Sequence, residues 1–299
     1  MHSAKLCFAL VVLALLVPRN VSAQAALGAQ GAEGEPNRLQ QWLVPTPDSA
    51  TPAHAVLFRP PGDGPFPLAL IAHASTQNVP RRAQMPQPEY RALSALLVAR
   101  GFAVLVPERL GHGATGGKYL EDQGGCDEAD YSRAGRATAA EIAAATGYLR
   151  RQPFIRGDGT MIAGHSAGAW GALALAGAQL PGVAAVIAFA PGRGGRANDF
   201  PNQVCAPHLL MAAAAEFGKT ARAPVIWLVS ANDSYFSPTF SRQLAEAFRG
   251  AGGKVDFQVL AAFGSEGHWL PEADDGVKLA AAALDRALKG PRPAAARKR

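Results

Sequence analysis

Short apolar runs rich in Val, Ile, Leu and Ala recur along the 299 residues of this chain, separated by stretches of helical length. Runs at residues 38–44, 54–59, 68–72, 102–106, 160–163, 183–189, 224–230 and 254–260 read as strands, the first as an edge strand. Stretches 89–99, 134–151, 167–179, 238–250 and 271–288 read as helices, several of them dominated by alanine. Strands that are apolar throughout, rather than alternating, expect helices on both faces. Strand and helix in regular alternation predict an α/β fold with a doubly wound, mostly parallel sheet. The length suits one domain. Pro60-Pro61-Gly62-Asp63-Gly64-Pro65 punctuates the chain as a turn, and residues 107–130 form a long loop.

The ends differ from the body. Residues 1–5 are short and basic, 6–17 are a twelve-residue apolar run, and small residues follow at Val21-Ser22-Ala23. This is the pattern of a secretory signal peptide cleaved after Ala23, or else after Ala25. Its apolar run is shorter than the roughly 20 residues a spanning helix needs, and no other stretch approaches that length. The expected organisation is a signal peptide at 1–23, a flexible polar segment at 24–37, the domain at 38–290 and a disordered basic tail at 291–299. The expected location is periplasmic or secreted, with no membrane span after cleavage. The formal charge is +6, but Lys5 and Arg19 leave with the signal peptide, and Arg292, Arg297, Lys298 and Arg299 account for the remainder. The body is near neutral, so the basicity is a property of the tail and indicates no nucleic-acid-binding face. Cleavage leaves Cys126 and Cys205, which in an oxidising compartment read as a disulfide, the alternative being two unpaired buried thiols. No CxxC, HxH or HExxH spacing supports a metal site, and Gly111–Gly117 lacks the pattern of a phosphate loop. No cofactor is expected.

Chemistry concentrates at Gly164-His165-Ser166-Ala167-Gly168, which lies between the 160–163 strand and the 167–179 helix. Strand, sharp turn and helix with serine at the apex is a nucleophile elbow, and the glycines relieve crowding in the turn. A serine needs a base, and the base needs an orienting carboxylate. Asp233 stands just past the 224–230 strand, and His268 follows the 254–260 strand, so all three gather at one edge of the sheet. Asp199, farther beyond its own strand in a Gly/Arg-rich loop, is the rival acid. The other histidines lie before any base position, apart from His165, which is read as packing or orienting the elbow.

G-H-S-A-G, the strand ending in Ser230-Ala231-Asn232-Asp233, and Gly267-His268 together resemble the α/β-hydrolase superfamily, in its dienelactone-hydrolase-like and peptidase-like branch. The resemblance spans residues 54–288. It implies an eight-stranded sheet and a catalytic triad of Ser166, Asp233 and His268, acting through an acyl-enzyme without cofactor. The Ala167 N–H is the first expected oxyanion donor. The second comes from the loop after residues 68–72, where His73-Ala74-Ser75-Thr76 departs from the family's His-Gly; the Ser75 N–H is preferred, with Ala74 the alternative. The expected partner is a small-molecule ester or lactone. A peptidase or acyltransferase with the same triad, or a non-catalytic binding protein, are the alternatives. Arg81, Arg82, Arg109, Arg193 and Arg196 are read first as solvated surface residues and second as readers of a substrate carboxylate. Trp269, Tyr235 and Phe236 are candidates for lining a pocket, whereas Trp170 is read as core.

Overall fold

A computed structural model describes residues 26–177 and 181–288; the expected signal peptide and basic tail lie outside the described residues. Its strands are β1 (Gly28–Ala29), β2 (Gln40–Val44), β3 (Ala53–Phe58), β4 (Leu68–Ala72), β5 (Ala103–Pro107), β6 (Thr160–His165), β7 (Val183–Phe189), β8 (Val225–Ser230) and β9 (Val255–Leu260). They form one sheet in the order β1-β2-β3-β5-β4-β6-β7-β8-β9. The β1–β2, β2–β3 and β3–β5 pairs are antiparallel, and every pair from β5–β4 to β8–β9 is parallel.

Among the described residues the sheet has nine strands where eight were expected. The extra strand, β1, falls in the segment expected to be flexible: Gly28 and Ala29 pair with Leu43 and Trp42. The Gln30 N–H donates to Gln41 O at 2.7 Å, and Glu33 pairs with Arg38 and Arg59. A two-residue edge strand held by backbone hydrogen bonds needs no apolar alternation, so its sequence carries none of the usual signal.

Among the described residues seven α-helices cover the sheet: α1 (Val79–Ala83), α2 (Arg91–Val98), α3 (Tyr131–Leu149), α4 (Ala167–Gly177), α5 (Pro207–Thr220), α6 (Pro238–Gly250) and α7 (Asp274–Leu288). Alternate residues of β4 divide the core. Leu68, Leu70 and Ala72 face the cluster built by α3, α4, α5 and α6, whereas Ala69 and Ile71 face the cluster under α2 and α7. This two-sided burial is the reason the strands read as unbroken apolar runs. Helix α4 is enclosed along nearly its whole length, every residue from Ala167 to Ala176 being buried, which explains its choice of small side chains. Within it, Trp170 is a core residue whose Nε1–H donates to Tyr131 O at 2.9 Å.

From β4 the chain crosses to β5 on one side and later to β6 on the other. The ends of β4 and β6 are therefore the switch point at which such sheets open a crevice. Cys126, in the loop after β5, is bonded to Cys205, in the segment after β7, with Cα atoms 5.0 Å apart. Tyr131 Oη–H donates to Cys205 O at 2.5 Å beside the bridge.

Candidate active site

Ser166 occupies the turn between β6 and α4 with φ 54°. A left-handed conformation is uncommon for a residue other than glycine and is held only where the surroundings over-determine it. Here the Ser166 N–H donates to Phe189 O at 2.9 Å, and Ser166 O accepts from Gly192 N at 3.3 Å. A Cβ on Gly168 would stand 2.2 Å from Ala72 O, and one on Gly164 would stand 2.5 Å from Ala169 Cα. Glycine is required at both positions because strand and helix approach so closely there. Ala167 heads α4, so its N–H has no acceptor within the helix. Among the described residues, Ser166 Oγ takes part in no hydrogen bond.

Paired strands bring the acid and the histidine together. Ser230 at the end of β8 lies opposite Leu260 at the end of β9, and the loops that follow carry Asp233 and His268 side by side. Asp233 Oδ2 is 2.9 Å from His268 Nδ1. Oδ1 accepts from the N–H groups of Tyr235 at 2.8 Å and Phe236 at 2.9 Å. Both residues are buried, Asp233 to 2% and His268 to 1% exposure. The carboxylate fixes Nδ1 as the protonated nitrogen, leaving Nε2 free to accept a proton. The rival Asp199 ends an exposed 3-10 turn, Ala197–Asp199, with no contact to a histidine ring among the described residues.

Neighbouring residues brace this pair. Glu266 accepts from the N–H groups of His268 at 3.0 Å and Ser234 at 3.1 Å. Asn232 Nδ2 donates to Phe263 O and Gly264 O, both at 3.1 Å. The Tyr235 ring stacks on the imidazole with centroids 4.1 Å apart and planes inclined by 19°, and Trp269, 40% exposed, meets its edge. None of these braces was read from the sequence, because a contact between two loops leaves no local pattern.

The loop after β4 is equally constrained. His73 Nδ1–H donates to Ala74 O at 2.6 Å, His73 Nε2 accepts from the Arg109 N–H at 3.0 Å, and Arg109 Nη1 donates to His73 O at 2.8 Å. The Ala74 N–H donates to Tyr90 Oη at 3.1 Å and is thereby occupied. Ser75 Oγ lies 2.7 Å from His112 Nε2. His112 Nδ1 faces the carbonyls of Arg109 at 3.1 Å and Leu110 at 3.0 Å, so it carries the proton and Nε2 accepts from Ser75.

Three of the five arginines read first as solvated are buried. Arg109 and Arg193 both pair with Glu121 beneath the loop, and Arg82 stacks on Tyr119, its guanidinium carbon 3.6 Å from the ring centroid. Arg81 is exposed. Arg196 is part-buried, and its Nη1 donates to Ser234 Oγ at 2.6 Å. Burial opposes the charge of Glu121, but the guanidiniums of Arg109 and Arg193 overcome it and hold the carboxyl well below the usual carboxylate range. Burial pushes the His112 imidazole down to about 4, and burial also lowers His73 and His165. Burial, with the Glu121 charge nearby, pushes Glu141 up to about 8.

These shifts set a two-sided stability profile. Below about 6.5 the unfolded chain protonates His73, His112 and His165 more readily than the fold does, so their contribution is lost as pH falls, for His112 towards about 4. Glu141 acts in the opposite sense: protonated in the fold and ionised when unfolded, it contributes below its unfolded value of 4.5 and loses that contribution as pH rises to about 8. Three histidines outweigh one carboxyl on the acid side, so stability peaks near pH 6.5. Urea midpoints at pH 5, 6.5 and 8 check this, and Glu141→Gln flattens the alkaline decline.

Among the described residues no group of three His, Cys, Asp or Glu could hold a metal ion, and no helix is long and apolar enough to cross a membrane.

A doubly wound sheet of this order, with a serine at a strand–turn–helix apex, is the architecture of the α/β-hydrolase superfamily. Within that class the sequence profile of the dienelactone hydrolase family matches residues 84–286, more than half of the chain. The chain belongs to that family and is a hydrolase by that membership. None of the curated proteins compared matches the sequence. Solved structures of the same fold include an esterase of Pyrococcus furiosus, with TM-score 0.58 and 13% identity over 88% of this chain and 96% of that one. Another is Est1E of Butyrivibrio proteoclasticus with ferulic acid bound, with TM-score 0.56 and 17% identity over 82% and 97%. A puromycin-hydrolyzing peptidase of Mycobacterium tuberculosis aligns with TM-score 0.55 and 16% identity over 81% of this chain and 38% of that one. At these identities the likeness is one of fold.

Proposed function

We propose that the protein is an exported serine hydrolase that cleaves a carboxylic ester or lactone through Ser166, His268 and Asp233. The observation that carries this reading is the buried Asp233–His268 pair, with Nδ1 bound and Nε2 left as acceptor, at the sheet edge where Ser166 is held with left-handed backbone. Ser166 Oγ attacks the substrate carbonyl while His268 Nε2 takes its proton, and Asp233 stabilises the imidazolium. The oxyanion is received by the N–H of Ala167 and that of Ser75. Ser75 is favoured over Ala74 because the Ala74 N–H is already given to Tyr90. Collapse expels the alcohol, which takes the proton from His268. Water, deprotonated by the same imidazole, then releases the acid. Hydrolysis of nitrophenyl esters from acetate to long acyl chains, with fluorophosphonate labelling of Ser166, tests the reading; a protein silent in both overturns it.

The Cys126–Cys205 bond supports export, because structural disulfides persist in oxidising compartments. Expression with the full leader should yield a mature chain outside the cytoplasm, beginning at Gln24 or, with cleavage after Ala25, at Ala26. N-terminal sequencing reads this directly, and an uncleaved cytoplasmic chain overturns it.

A further inference from the structure

Tyr90 stands immediately before α2 and belongs to none of the motifs above. Its backbone is left-handed, φ 45° and ψ 48°, a strained state for a bulky side chain, and the residue is only 8% exposed. Its hydroxyl meets three elements of the site at once. It accepts the Ala74 N–H at 3.1 Å, lies 3.0 Å from His165 Nδ1 and 3.4 Å from Glu272 Oε1. His165 Nε2 is 2.8 Å from His268 O and so carries the ring hydrogen. The Tyr90 O–H is then shared between His165 Nδ1 and Glu272 Oε1, which themselves stand 3.2 Å apart. One hydroxyl thus joins the residue before Ser75, the residue before Ser166 and, through His165, the backbone of His268.

The consequence for the oxyanion loop follows from peptide geometry. In a trans peptide the C=O and the next N–H point in opposite directions. His73 Nδ1–H holds the Ala74 carbonyl, and Tyr90 holds the Ala74 N–H, so both ends of residue 74 are fixed and the Ser75 N–H points away from the His73 ring. Burial keeps the phenol protonated by raising its pKa well above 10, so the link persists across the working pH range.

We propose that Tyr90 is a positioning residue that sets the Ser75 amide relative to Ser166 and His268. This rests on the serine hydrolase reading above. Tyr90→Phe keeps the ring and removes only the hydroxyl. With rates referred to the serines a fluorophosphonate labels, kcat should fall on the order of ten- to a hundred-fold, as for a small misplacement of a reacting group, with KM changed by less than about two-fold. The inhibition constant of an alkyl trifluoromethyl ketone, whose adduct with serine bears an oxyanion, should rise by the same factor, whereas that of the product alcohol should stay. A purely structural loss would not divide the two inhibitors. Wild-type kcat and ketone affinity in Tyr90→Phe overturn the proposal while leaving the hydrolase reading intact. A wild-type protein that neither turns over nor labels overturns that reading instead. If Tyr90→Phe does not fold, hydrogen exchange at Ala74 in the wild type decides: a protected amide supports the link, and one exchanging like an open loop overturns it.

Discussion

Ser166→Ala should lower kcat on the best nitrophenyl ester by about a million-fold, the scale on which removal of a hydrolase nucleophile acts. Fluorophosphonate labelling should vanish with it. The fold should persist, because among the described residues the serine hydroxyl takes part in no hydrogen bond and its backbone bonds to Phe189 and Gly192 involve no side chain. A companion variant separates chemistry from strain. Ser166→Gly should be just as inactive yet more stable, by about 1 kcal/mol, because the backbone at φ 54° suits glycine. Urea unfolding of the three proteins measures the second effect and ester turnover the first. Turnover by Ser166→Ala close to the wild-type rate would remove Ser166 from the mechanism.

Asp233→Asn should lower kcat about ten-thousand-fold at neutral pH, and the hydrogen bonds say why. Oδ1 accepts two backbone N–H groups, from Tyr235 and Phe236, so asparagine keeps its oxygen there and turns its NH2 towards His268. The Nδ1 atom must then accept, the ring hydrogen moves to Nε2, and the base loses the lone pair that should take the serine proton. Asp199→Asn is the control. Being exposed and in contact with no histidine ring among the described residues, it should leave turnover near the wild-type value. The opposite pattern in the two variants would transfer the acid role to Asp199.

The parts of the site legible in the sequence are those that local patterning places. Ser166, Asp233 and His268 each follow a legible strand, and parallel strands deliver their C-terminal ends to one edge. Helix α5 was legible in principle: Pro207 opens it and Leu210, Ala213, Ala214 and Phe217 recur at helical spacing. Strand β1 could not be read, since two residues on an edge carry no periodicity. The braces are illegible for a different reason. Ser75 meets His112, and Tyr90 meets both His165 and Glu272, pairs that become neighbours only once the sheet order is known. The burial of Arg109 and Arg193 was hidden likewise, because their shared partner Glu121 lies in a loop with no regular pattern.

The bond between Cys126 and Cys205 spans a sequence separation of 79 and makes the intervening chain a covalent ring. β6, the elbow and α4 all lie inside it. A protease that nicked the exposed stretch around Asn198 and Phe200 would open that ring without releasing a fragment, because each cut end would stay tethered through the sulfurs. Such a nick would leave the piece that carries Asp233 and His268 tethered by one covalent bond to the piece that carries Ser75 and Ser166.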